Sequence, residues 1–75
     1  MYRLVYFDPE SGYGTSDSNT YSQVLDTDRH LKEEGKDVVC IVDYEAKEIT
    51  HKSRDYPEHR DKVDNFIFDY EFLNT

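Results

Sequence analysis

Val38-Val39-Cys40-Ile41-Val42 is an unbroken run of five apolar residues, four of them β-branched. A strand with one face in water would carry a polar residue at every second position. A run apolar throughout is what a strand buried on both faces requires. No other stretch is so continuously apolar, so the reading of these five residues decides the fold: a central strand against which the rest of the chain packs.

Immediately upstream, Tyr21, Val24, Leu25 and Leu31 recur at helical spacing. The polar run Ser16-Asp17-Ser18-Asn19 precedes them, Thr20-x-x-Gln23 fits a capping box, and Gly35 stands where a C′ glycine belongs. Together these predict a helix over residues 20–34. Asp28 precedes Lys32 by four residues, the favourable orientation for an ion pair. Nearer the N-terminus, residues 2–7 are β-branched and aromatic and stop at Asp8-Pro9-Glu10-Ser11-Gly12, a turn composition that predicts a hairpin with a short return strand at residues 13–15.

Downstream of the central run, Asp43-Tyr44-Glu45-Ala46-Lys47-Glu48 reads as a turn and Ile49-Thr50-His51 as a short strand. Each half then contains a strand, an Asp, a Glu two residues later and a return, which suggests two ββα units. The second helix is expected to start at Asp55-x-x-Glu58, with Pro57 in its first turn and both carboxylates placed against the helix dipole. On a helical projection Val63, Phe66, Ile67, Tyr70 and Leu73 fall within about 120°, a core face. Phe66, Phe68, Tyr70 and Phe72 also alternate, so a strand over residues 65–73 is the competing reading. The expected fold is α+β: a small single domain with an antiparallel sheet of about four strands and two helices in ββαββα order, the last helix being the element that could instead be a strand.

A chain of 75 residues buries only ~60% of the surface its unfolded form exposes, which leaves little volume for an enclosed active site. Seventeen Asp and Glu stand against nine Lys and Arg, a formal charge of −8. That field repels phosphates and anionic headgroups, so direct binding to nucleic acid or membrane is not expected, and it favours partners with basic surfaces. Seven Tyr and four Phe argue against disorder, since disordered chains are poor in such large amphipathic groups. The single cysteine, Cys40, cannot form an internal disulfide and fits a reduced, cytoplasmic setting. The first residues lack the apolar core of a signal peptide.

The candidate chemistry is sparse. His30 projects about 160° from Asp28 on the first helix, His51 ends a strand and His59 lies in the first turn of the last helix. No His-x-x-His, Cys-x-x-Cys or His-Glu pairing joins them, so they read as surface residues, and neither a metal nor another cofactor is expected. Cys40 reads as a core residue because apolar neighbours raise a thiol pKa. Gly12-Tyr13-Gly14 reads as turn glycines, since it lacks the lysine of a phosphate loop and lies among carboxylates. No catalytic residue is assigned.

Two features point to a partner. Asp28 lies on or near the apolar stripe of the first helix, where a carboxylate needs Lys32, a tyrosine hydroxyl or a partner cation. On the outer face of the last helix Phe68 and Phe72 project about 40° apart among Asp61, Asp64 and Asp69, the pattern of aromatic anchors ringed by charge. In size, acidity and tyrosine content the chain is similar to small phage-encoded inhibitors of host defence or nucleic-acid enzymes, anti-CRISPR proteins and DNA mimics among them. That likeness is one of composition and rests on no motif. It implies a non-enzymatic binder in the host cytoplasm whose carboxylates occupy a basic nucleic-acid groove. The alternative is an intracellular domain that assembles with itself, as a homodimer, or with a larger subunit through its aromatic face.

Overall fold

In the computed structural model, which describes residues 1–67, the apolar run forms most of a strand, β3 (Asp37–Asp43), whose residues 38–42 are all buried. β3 lies between β1 (Tyr2–Asp8) and β4 (Glu48–Lys52), and β2 (Gly12–Ser18) completes a four-stranded antiparallel sheet in the order β2-β1-β3-β4. Two helices, α1 (Tyr21–Glu33) and α2 (Tyr56–Val63), make the order ββαββα. The fold is the expected α+β domain. β2 and β3 are both antiparallel to β1, hence parallel to each other, and α1 is the crossover that passes over β1 to join them.

The sheet is covered on both sides. Leu4, Val38 and Ile41 pack under Val24 and Leu31 of α1, with Tyr2 and Tyr6 at the margin. Val5, Val39, Cys40 and Val42 point the other way, toward Tyr56 and Val63 of α2 and toward Ile67. Strict alternation would send Val39 and Cys40 to opposite faces. A β-bulge resolves this: Val5 pairs with Cys40 and Tyr6 with Val38, leaving Val39 as the extra residue, so both side chains reach the α2 layer. A second irregularity in β4 leaves Thr50 between the pairs Ile41/His51 and Val42/Ile49.

The helix ends follow the sequence signals at α1. Thr20 accepts from the Gln23 amide at 3.2 Å while the Gln23 side chain accepts from the Thr20 amide at 3.3 Å, the reciprocal capping box. Gly35 has φ +84°, and Lys36 N–H to Leu31 C=O with Gly35 N–H to Lys32 C=O closes a Schellman motif. The apolar stripe is narrower than its periodicity suggests. Val24 and Leu31 are buried, whereas Tyr21 and Leu25 are each 43% exposed.

Several boundaries differ from the sequence reading. β2 runs to Ser18, well beyond residues 13–15, because its polar residues pair as an edge strand in which backbone bonds rather than burial hold the register. β4 likewise extends one residue on either side of 49–51. α2 ends at Val63 and residues 64–67 turn, so the helix does not continue through the expected core arc. Within that arc Val63 and Ile67 are nevertheless buried and Phe66 half-buried, since the turn folds them back on the sheet. Tyr70, Leu73 and the helix-or-strand question over residues 68–73 lie outside the described residues.

Candidate functional site

Among the described residues two places bring together groups with chemistry, one along α1 and one on the opposite, α2 side of the sheet. The first is built on the α1 side. Tyr21, Leu25, Asp28 and Lys32 follow one another at i, i+4, i+7 and i+11 along one ridge of α1. Lys32 Nζ lies 3.2 Å from both Asp28 carboxylate oxygens, so the ion pair foreseen from spacing forms, and Asp28 is 17% exposed at the core rim. At the N-terminal end of the ridge the Tyr21 ring meets that of Tyr2 at a centroid distance of 5.5 Å. Tyr2 stands directly across from Asp43 on β3. Its hydroxyl pKa is raised by partial desolvation and then by the negative charges of Asp43 and Glu45, which therefore border the patch. Both carboxylates belong to the β3–β4 turn, where Asp43 Oδ1 accepts from the Glu45 and Ala46 amides.

The second place is on the α2 side, at the end of the sheet where β3 begins. His59 is only 14% exposed, not the surface residue its sequence context suggests. Its imidazole stacks obliquely on Phe7 at 5.3 Å and meets the Tyr13 ring edge-on at 5.5 Å. The Tyr13 hydroxyl is 2.5 Å from His59 Nδ1. Nε2 then faces two carboxylates, Asp55 Oδ2 at 3.1 Å and Asp37 Oδ2 at 3.8 Å. Asp55 occupies the N-cap position of α2 but makes no side-chain cap, contrary to the role its sequence position implies. Oδ1 accepts from the Ser53 hydroxyl at 2.6 Å and Oδ2 serves His59.

The Asp37 carboxyl is pushed up to about 6, first by its hydrogen bond to Asp55 and then by desolvation and the Asp55 charge; His59 and Lys32 oppose the shift. Asp55 is held well below the ordinary carboxylate range by the same shared proton, with Ser53 and His59 adding to it. Two like charges in contact cannot both ionise freely, so one carboxylate keeps its proton until the pH rises through about 6. Among the described residues these three, Asp37, Asp55 and His59, are the set whose ligand atoms converge, all within 4.8 Å of one another.

Little in the sequence signals this cluster. Asp55-x-x-x-His59 is a one-turn helical spacing that signals half of it, but Asp37 and Tyr13 arrive from β3 and β2 and only the sheet brings them there. Of the partner-facing residues expected from the sequence, Asp61 and Asp64 are exposed on α2 and at its C-cap, Asp28 is paired with Lys32, and Phe68, Asp69 and Phe72 lie outside the described residues. The hairpin carboxylates do not converge: Asp8 pairs with Gly12 at one end of the sheet and Asp43 with Tyr2 at the other. Cys40 is fully buried and its thiol is pushed up to about 12 by desolvation, which makes it a core group. No described helix is long and apolar enough to cross a membrane. Compared with known protein families, with curated proteins and with solved structures, the chain matches none.

Proposed function

We propose that this chain is a non-enzymatic, acidic protein-binding module that docks through the α1 side onto a partner combining an apolar pocket with a basic rim. The observation that carries this reading is the exposed pair Tyr21 and Leu25 with the half-buried Tyr2 ring beside them, set between the Asp28–Lys32 ion pair at one end and Asp43 and Glu45 at the other. Aromatic anchors beside carboxylates divide the work of recognition: carboxylates steer a basic surface, and desolvated rings then hold it. The −8 net charge acts in the same direction at long range. Because the two hairpin turns carry their carboxylates to opposite ends of the sheet, only the Asp43 and Glu45 turn borders the binding face.

The test is capture from the source cell's lysate, followed by binding kinetics on the purified captured protein. Tyr21→Ala with Leu25→Ala should chiefly speed dissociation, costing about 2 kcal/mol or more. Reversal of Asp43 and Glu45 to Lys should slow association and flatten its salt dependence. Capture that ignores both pairs of substitutions, or that is unchanged between low salt and about 0.5 M, where screening falls below about 5 Å, rejects the reading. Self-association abolished by the Tyr21 and Leu25 substitutions would favour a self-assembling domain instead.

A further inference from the structure

We infer that Asp37, Asp55 and His59 form a binding site for one divalent transition ion of the zinc class, with His59 Nε2 as the nitrogen ligand. The three groups come from the first residue of β3, the N-cap position of α2 and the first turn of α2, and their ligand atoms lie within 4.8 Å of one another. Bonds of about 2.0–2.2 Å from zinc to nitrogen and oxygen set neighbouring ligand atoms roughly 3.0–3.5 Å apart. The separations here are 3.1 Å from Nε2 to Asp55 Oδ2 and 3.8 Å to Asp37 Oδ2, so an ion is seated by small side-chain rotations.

The surroundings of the ligands are also those of a metal centre. A ligating imidazole needs its second nitrogen held by a polar partner, which selects the tautomer and orients the ring. Tyr13 Oη stands at Nδ1, and as acceptor of the Nδ1 proton it leaves the Nε2 lone pair facing the carboxylates. Phe7 and Tyr13 clamp the ring plane. Ser53 binds Asp55 Oδ1 and leaves Oδ2 on the ligand side. Asp37 and Asp55 are 39% and 35% exposed, so water reaches the ion and completes its coordination. One imidazole with two carboxylates suits zinc, cobalt or nickel, whereas calcium and magnesium take oxygen donors.

Titration of the full chain with zinc chloride, read by calorimetry and by long-range proton–nitrogen spectra of the histidine rings, tests the assignment. The expected result is one ion per chain, with His59 Nε2 shifted and the rings of His30 and His51 unmoved at one equivalent. Asp37→Asn should weaken binding at least tenfold, His59→Gln should abolish it, and Tyr13→Phe should weaken it about tenfold through loss of the Nδ1 partner. Circular dichroism shows whether each variant stays folded. Asp37→Asn, at a partly exposed position, keeps the test decisive should His59→Gln unfold. Binding no tighter than millimolar, equal shifts at His30 or His51, insensitivity to Asp37→Asn, or equal affinity for magnesium or calcium chloride would each overturn the site.

Discussion

At the scale of single residues, Gly14 shows how a neighbour rather than a turn can demand glycine. Gly12 has φ +90° in the β1–β2 turn, but Gly14 lies within β2, directly across from Tyr6. A Cβ there would run into the Tyr6 ring, which covers the glycine on the α1 side. The ring could swing away only by uncovering that strand and leaving Lys36, whose Nζ sits 5.8 Å from the ring centroid. Gly14→Ala should therefore destabilise the protein by about 1 kcal/mol, measured by urea denaturation. In a Tyr6→Ala background the cost should shrink or change sign, because the clash is pairwise. Equal costs in both backgrounds would remove Tyr6 as the cause. Asp55 makes the same point for polar groups: a residue at an N-cap whose carboxylate is used by Ser53 and His59 cannot be understood from its position in the chain.

At the scale of elements, α1 and β3 are specified locally and α2 is not. α1 carries a complete capping box and Schellman motif, whereas α2 is eight residues long, lacks a side-chain cap, and is held by burial of Tyr56 and Val63 on the sheet. β3 supplies the wall for both layers, so a change in it reaches both. Ile41 is 1% exposed, on the α1 side. Ile41→Asp places an uncompensated charge there at a cost of several kcal/mol, against a net stability of about 5–15 kcal/mol for a small domain. Loss of the thermal transition by circular dichroism is expected; an unchanged midpoint would mean that β3 is not the core. The two ββα units are alike in their Asp-anchored hairpin turns, with Asp8 Oδ1 accepting from Glu10 N–H at 2.9 Å and Asp43 Oδ1 from Glu45 N–H at 3.0 Å. The likeness stops there. A two-fold axis relating the adjacent antiparallel strands β1 and β3 would place both helices on one face, and they lie on opposite faces.

At the scale of the whole molecule, charge is distributed unevenly over the two ends. Asp43 and Glu45 mark the end used by the proposed docking face, while Lys52, Arg54 and Arg60 line a shallow depression beside the start of α2. The Asp37–Asp55 pair ties β3 to α2 and makes the stability of the metal-free protein depend on pH. Asp37 is raised above its ordinary 3.8 to about 6, so its contribution is fully present below about 3.8 and is lost as pH rises through about 6. Asp55 is lowered, so its contribution is present above its ordinary value and is lost only as pH falls through its depressed pKa. Between pH 4.5 and 7.5, values chosen to bracket that loss at about 6, Asp37 is thus the member of the pair that sets the slope. Asp37→Asn, which has no proton to lose, should stabilise the protein relative to wild type at pH 7.5 more than at pH 4.5, in thermal melts with chelator present. A constant difference across that range would mean that no proton is shared.

The elements whose signals are local can be read from the residues alone. The run of residues 38–42 must be a strand buried on both sides because no amphipathic alternative accommodates five consecutive apolar side chains. Thr20, Gln23 and Gly35 bound α1 because capping groups lie within a few residues of the amides and carbonyls they satisfy, and Asp28 meets Lys32 because helical spacing brings i and i+4 together. The rest depends on contacts between elements distant in the chain. The bulge at Val39 sends two successive residues to one layer, the second helix stops at Val63, and Tyr21 and Leu25 remain exposed although their periodicity matches the buried Val24 and Leu31. The cluster of Asp37, Asp55, His59 and Tyr13 has three sources far apart in the chain, so no spacing rule can announce it. It exists because the β2-β1-β3-β4 order sets Tyr13, Phe7 and Asp37 side by side on neighbouring strands and α2, anchored by Tyr56 and Val63, lays His59 across them.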